Sequence, residues 1–211
     1  MSLARDDATV EAAARVADVY DRAAQVWPTL RSTALMERRW LDAFVAAMPN
    51  DGGRVLDLGC GNGVPMARYL IERGCGVTGV DGSASMIGQA RKALPGAEWI
   101  VGDMRRLQVE GPFGGILAWH SLFHLPRDDQ RALLARLETL ALPRAALMFT
   151  SGTEDGEVLG RLEGEALYHA SLDTAEYRDI LDLHGFDILE HVVSDPDCGG
   201  ATVWLAGKRA D

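Results

Sequence analysis

The stretch VLDLGCGNG places an aspartate and three alternating glycines as Asp57-x-Gly59-x-Gly61-x-Gly63. A glycine-rich turn between a strand and a helix lets a ligand approach backbone N–H groups at the helix N-terminus, where the dipole favours an anionic group. Spacing excludes two common versions of such a turn. A dinucleotide fingerprint, G-x-G-x-x-G/A, needs a third small residue where this chain has Val64 or, counted from the second glycine, Met66. A phosphate-cradling loop would end in Gly-Lys-Ser/Thr, and this one does not. A tight turn without a ligand needs only one or two glycines.

Further along stand residues whose types suit the same kind of site. Asp81, in Val80-Asp81-Gly82-Ser83, follows Gly59 by 22 residues. At the end of a second strand such an acid can accept both hydroxyl protons of a ribose, as in dinucleotide sites. Capping the next helix is the other role open to this motif. Gly102-Asp103-Met104 follows a third apolar run and, taken alone, reads only as a turn. Two imidazoles lie in Ala118-Trp119-His120-Ser121-Leu122-Phe123-His124-Leu125. An imidazole titrates near neutrality and can take a proton from a hydroxyl or amine, so a rate carried by His120 should rise with pH through that range. Filling space in a pocket is the competing role for His120, and His124 reads more as a packed, hydrogen-bonded residue. His169 is a weaker candidate, and His184 and His191 fall at a helix end and in a strand.

These residues must be positioned by the elements between them. Residues 8–26 and 32–48 read as Ala-rich helices with apolar positions at helical spacing, separated by Pro28 and closed by the breaker run 49–53. Strands follow at 54–58, 76–80, 97–101, 114–120 and 144–151. Between them lie helices opening at Pro65, at Ser83 as a cap, and over 128–141. Strands and helices alternating at this interval predict an α/β fold, a parallel sheet with helices on both faces. The rhythm then changes. Asp173-Thr174-Ala175-Glu176 resembles a capping box opening a helix to His184, and strands at 186–194 and 201–208 can form a hairpin. Residues 152–172 have no clear element and read either as a substrate lid or as a weakly patterned helix.

Composition limits the partners. The chain has 211 residues, 47% hydrophobic and 25% charged, which suits one globular domain. A net charge of −10 opposes a nucleic-acid partner, because phosphate binding needs a basic footprint. Cys60, Cys75 and Cys198 are too few and too scattered for a disulfide framework or a zinc site, so no metal is expected. There is no signal-peptide core and no apolar run of about 18 residues, so a cytoplasmic protein without membrane contact is expected.

The pattern Asp57-x-Gly59-x-Gly61-x-Gly63, with Asp81 and Asp103 in order behind it, resembles the class I S-adenosylmethionine-dependent methyltransferases from about residue 20 to the end. The resemblance implies a Rossmann-like sheet of seven strands in the order 3-2-1-4-5-7-6, with the last strand antiparallel. Residues 1–50 would form a helical cap, 54–151 the cofactor-binding core, and 173–208 a closing helix and strand pair. S-adenosylmethionine would be the cofactor and S-adenosylhomocysteine the product. By resemblance, the glycine loop with Cys60 lies against the methionine and ribose, and Asp57 serves the amino group. Asp81 with Gly82 serves the ribose, and Asp103 takes the adenine amino group. Met86, Gly102, Met104 and Trp119 complete that pocket. Tyr20 and Trp27 lie where relatives carry a tyrosine-containing entry helix, whose tyrosine closes over the cofactor carboxylate. Relatives commonly carry Asp or Asn where His120 stands, beside the transferred methyl. The implied acceptor is a small molecule, handled by a monomer or homodimer. A protein or RNA methyltransferase, a cofactor-binding sensor or scaffold, and an enzyme using only the sulfonium charge remain open alternatives.

Overall fold

The computed structural model describes residues 7–50 and 53–210; the breakers Asp51 and Gly52 and the first residues of the cap lie outside them. Five strands, β1 (Arg54–Leu58), β2 (Gly76–Asp81), β3 (Glu98–Val101), β4 (Phe113–Ala118) and β5 (Ala141–Ser151), pair in parallel in the order 3-2-1-4-5. β9 (Ala201–Lys208) joins β5 antiparallel, and β8 (Phe186–Asp195) joins β9 antiparallel at the edge. β8 therefore runs with the first five strands. Counted within this sheet alone the order is 3-2-1-4-5-7-6 with one reversed strand, as expected.

Alternation along the strands explains why the sheet is buried on both faces. On β5, Leu147 and Phe149 point to one apolar cluster while Ala146 and Met148 point to the other. The first cluster is closed by α7 (Arg127–Leu140) and α8 (Thr174–Leu183). The second is closed by α4 (Arg38–Ala47), α5 (Met66–Glu72) and α6 (Ala84–Ala93). Caps fall where the sequence puts them: Ser83 accepts from the Met86 N–H and Asp173 from the Glu176 N–H. The Glu176 side chain does not complete a capping box but pairs with Arg131 at 2.6 Å.

Three expectations need correction. The single helix over 8–26 is two, α1 (Asp7–Ala14) and α2 (Val16–Ala23), broken at Arg15 with φ −102° and ψ 2°. Ala12 of α1 packs with Tyr168 and Ala170, whereas α2 touches that cluster through Val16 and also lies against α6. Pro28 does not separate two long helices; it sits in the first turn of the short α3 (Trp27–Leu30), where a missing N–H costs nothing. The following helix starts only at Arg38.

The third correction concerns 152–172, which is neither an open loop nor a helix. β6 (Gly156–Leu162) and β7 (Glu165–Ser171) form a separate antiparallel hairpin. Its two turn residues, Glu163 and Gly164, have φ of 49° and 83°, the mirror-image turn that matches strand twist. Glutamate is an uncommon occupant of that first position, so no familiar turn pair announces the hairpin.

Candidate active site

The carboxyl ends of β1, β2 and β4 open into one cavity of about 490 Å³, roofed by α1 and α2. All the sequence-predicted site residues except Gly63 line it: Tyr20, Asp57, Gly59, Cys60, Gly61, Asp81, Gly82, Met86, Gly102, Asp103, Met104, Trp119, His120 and His124. The glycines have different reasons to be glycine. At Gly59 an added Cβ would lie 2.3 Å from the Ser121 Cβ, and at Gly63 it would lie 2.8 Å from the Trp99 ring. Those two are required by the protein's own packing. At Gly61, a cavity-lining residue with φ +54°, an added Cβ meets no heavy atom within 4 Å.

Asp81 ties the two motifs together. Its Oδ2 accepts from the Gly61 N–H and its Oδ1 from the Ser83 N–H, each at 2.8 Å. Burial raises its pKa, partly offset by those two N–H donors. Asp57 is 3% exposed, and its Oδ2 is buried without a hydrogen-bond partner among the described residues. Burial, then the nearby Asp81 charge, lift its pKa to about 7. A buried Asp57 and a half-buried Asp81, both with spare acceptor capacity, suit a ligand that supplies hydroxyl and ammonium donors. Asp103 is different. Its carboxylate is clasped by Arg105, with Nε at 2.9 and 2.8 Å from its two oxygens. Partial burial pushes its pKa up, but the Arg105 bonds outweigh that and hold it low.

The cap is fastened to this floor by polar contacts. Asp21, beside Tyr20 on α2, accepts from the Ser83 hydroxyl at 2.6 Å and the Ser85 N–H at 2.8 Å. It thus sits at the N-terminus of α6, where a negative charge is favoured. Tyr20 reaches His124 at 2.8 Å, and the other ring nitrogen of His124 faces the Tyr168 carbonyl at 2.8 Å. Both nitrogens of His124 are thereby occupied. The ring has none free for a substrate, which removes it from the candidate catalytic bases.

Known proteins share the core of this chain in sequence and its fold in structure. Residues 55–143 match a methyltransferase domain. A malonyl-[acyl-carrier protein] O-methyltransferase from Enterobacter lignolyticus is 30% identical over 141 residues, 66% of this chain and 54% of the relative. The matched core is similar to the class I S-adenosylmethionine-dependent methyltransferases. A trans-aconitate 2-methyltransferase from Azoarcus is 41% identical over 97 residues, 44% of this chain and 37% of that relative. This chain thus spans about half or less of those relatives' lengths. In fold, the 1,6-didemethyltoxoflavin-N1-methyltransferase of Burkholderia thailandensis superposes with a TM-score of 0.70 at 21% identity, covering 100% of this chain and 93% of that one. Magnesium protoporphyrin IX methyltransferase from Synechocystis gives 0.66 at 20% identity, covering 99% and 100%.

The remaining end of the cavity is built by the turn after β4. Ser121 donates its hydroxyl to the Leu58 carbonyl at 2.6 Å, pinning that turn to the end of β1. His120 has φ +49°, and its N–H donates to Thr150 Oγ1 at 2.9 Å. Its ring is exposed and flanked by Trp119 and Phe123 at ring-centroid distances of 5.4 and 5.8 Å. Desolvation by the neighbouring protein lowers its pKa to about 4, with the Arg31 charge adding to the effect and Glu37 opposing it. Arg31, Asp21 and Thr150 are functional candidates that sequence reasoning missed. Asp21 and Thr150 act across long sequence separations, 62 and 30 residues, and Arg31 belongs to no motif.

Proposed function

We propose that this protein transfers a methyl group from S-adenosylmethionine to a small-molecule acceptor. The observation that carries the reading is the cavity in which Asp57, Gly61 and Asp81 meet under a helical cap. The orphaned Asp57 oxygen suits the cofactor's ammonium group, Asp81 suits its ribose, and the open space at Gly61 leaves room for both. When bound, the cofactor supplies a methyl group already activated by a sulfonium.

The chain's own residues then have to position and exclude water. Ser121 and Asp81 fix the cavity floor through the backbone of β1 and its glycine loop. Tyr20 and Asp21 hold the roof against it. His120 stands unprotonated at neutral pH and offers a hydrogen-bond acceptor or a weak base at the acceptor end. Holding reactants in line accounts for much of the acceleration such a site needs. A cavity of this size, with the net charge of −10, favours a compact acceptor over a nucleic acid.

The test is calorimetry with S-adenosylmethionine, S-adenosylhomocysteine and NAD, followed by an acceptor screen reading S-adenosylhomocysteine release. Tight binding of the first two is expected. No heat with either, alongside tight NAD binding, would overturn the assignment.

A further inference from the structure

Outside the cofactor machinery, the cavity contains one basic side chain that nothing above employs. Arg31 follows α3 and lines the cavity near His120. The cavity's other lining base, Arg105, is consumed by Asp103 and Asp129. Its lining acids, Asp57, Asp81 and Asp103, belong to the β1, β2 and β3 ends. The cavity is therefore electrostatically divided, with acid toward those strand ends and a guanidinium, backed by a single carboxylate, toward the β4 turn.

Arg31 is held in place without being used up. One of its terminal nitrogens bonds Glu37 Oε1, and no second protein partner engages it among the described residues. A guanidinium has five N–H donors in a rigid fork, so most of them remain available. Glu37 is 1% exposed, and its other oxygen has no hydrogen-bond partner among the described residues. A buried carboxylate of this kind fixes the orientation of the fork from behind. The pair is neutral overall, which suits a singly charged guest better than a dianion. Tyr20 and Trp27, with ring centroids 5.5 Å apart, add an aromatic lining to the cavity.

We propose that Arg31 is a specificity residue that selects an acceptor bearing a carboxylate, held bidentately by the guanidinium edge that Glu37 leaves free. The inference rests on the methyltransferase reading and adds the chemical class of its substrate. It also accords with His120 being a poor base at neutral pH, since selection by charge requires no proton transfer.

The experiment uses the full chain saturated with S-adenosylhomocysteine and three acid–amide pairs: benzoate and benzamide, phenylacetate and phenylacetamide, glutarate and glutaramide. Binding is followed by NMR through the Arg31 Nε–Hε signal and by calorimetry. In at least one pair the acid should bind tenfold or more tightly than its amide and shift that signal. Arg31→Gln should abolish the preference while S-adenosylhomocysteine affinity changes less than threefold. Because Arg31→Gln strands the buried Glu37 charge, the double variant Arg31→Gln, Glu37→Gln is measured beside it and should behave alike. Arg31→Lys, which keeps charge without the fork, should retain only part of the preference. Equal affinity for acid and amide in every pair overturns the proposal. So does a tenfold loss of S-adenosylhomocysteine affinity in the double variant, which would assign the guanidinium to the cofactor's own carboxylate. Wild-type protein that binds no S-adenosylhomocysteine at all removes the methyltransferase reading itself, and the proposal with it.

Discussion

Tyr20 donates its phenolic proton to Nε2 of His124 across 2.8 Å, a contact joining residues 104 apart in the chain. The direction follows from the other side of the ring. A carbonyl only accepts, so the Nδ1 facing the Tyr168 carbonyl carries the hydrogen and Nε2 presents its lone pair. Burial drives the His124 pKa down to about 3, which keeps the ring neutral and this pattern intact. One imidazole thus bolts the roof of the cavity to the turn after β4 and to the β6–β7 hairpin.

That bolt makes stability depend on acid in a defined direction. His124 binds its proton less readily folded than unfolded, so stability is complete above the ordinary histidine value of 6.5 and declines as pH falls toward about 3. The slope from this group reaches about 1.4 kcal/mol per pH unit. Urea denaturation at pH 4 to 7 should show a steeper loss in wild type than in His124→Gln. Tyr20→Phe leaves Nε2 buried without a donor and should cost about 1–3 kcal/mol at neutral pH.

The glycine loop gives a prediction that separates packing from binding. Gly63→Ala should reduce stability markedly, because its Cβ would strike Trp99 and Leu94. Gly61→Ala meets no such neighbour and should stay folded, losing only about 1–2 kcal/mol for its left-handed backbone. Its affinity for S-adenosylhomocysteine should nevertheless fall tenfold or more. A folded Gly61→Ala protein with unchanged affinity would contradict a cofactor lying on that loop.

How much of this was legible in the sequence follows the range of each interaction. The parallel sheet and the Asp57, Gly61 and Asp81 cluster follow from local patterns: short apolar runs alternating with helices, glycines at fixed spacing, and an acid closing a strand; the strand order comes from the family resemblance. The β6–β7 hairpin escaped because Glu163-Gly164 adopts its turn without a familiar turn pair. The break at Arg15 escaped because alanine-rich sequence favours helix throughout, and only tertiary contacts divide α1 from α2. Arg31, Asp21 and Thr150 had no sequence signature at all. Their partners are chosen by the fold, and Ser83 and His120 lie 62 and 30 residues from Asp21 and Thr150.

The two acids should register cofactor binding in different ways. Asp81→Ala removes acceptors for the ribose and also releases the Gly61 and Ser83 N–H groups, so affinity should weaken by roughly 1–3 kcal/mol. Asp57 titrates at about 7 in the free protein, and a neighbouring ammonium group would lower that value. Binding of S-adenosylmethionine should therefore release a proton near pH 7, and affinity should rise with pH until Asp57 is ionised in the free protein. Calorimetry in buffers of different ionisation enthalpy measures that proton directly, and Asp57→Asn should abolish its release.

His120 tests whether the β4 turn does chemistry or only holds shape. Its pKa of about 4 moves the expected acid inflection well below the ordinary imidazole range, so its charge should not change between pH 6 and 8. The ring's position depends on Thr150, whose Oγ1 accepts the His120 N–H and supports a φ of +49° that a histidine rarely adopts. Thr150→Val keeps the buried volume but strands that N–H. It should shift the His120 titration seen by NMR and slow single-turnover methyl transfer by about tenfold or more, because a displaced group costs rate steeply. S-adenosylhomocysteine affinity should change less than threefold. Thr150→Ser, which retains the hydroxyl, should restore both the titration and the rate. If the valine and serine variants instead behaved alike, Thr150 would be a packing residue and His120 would owe its geometry to Trp119 and Phe123.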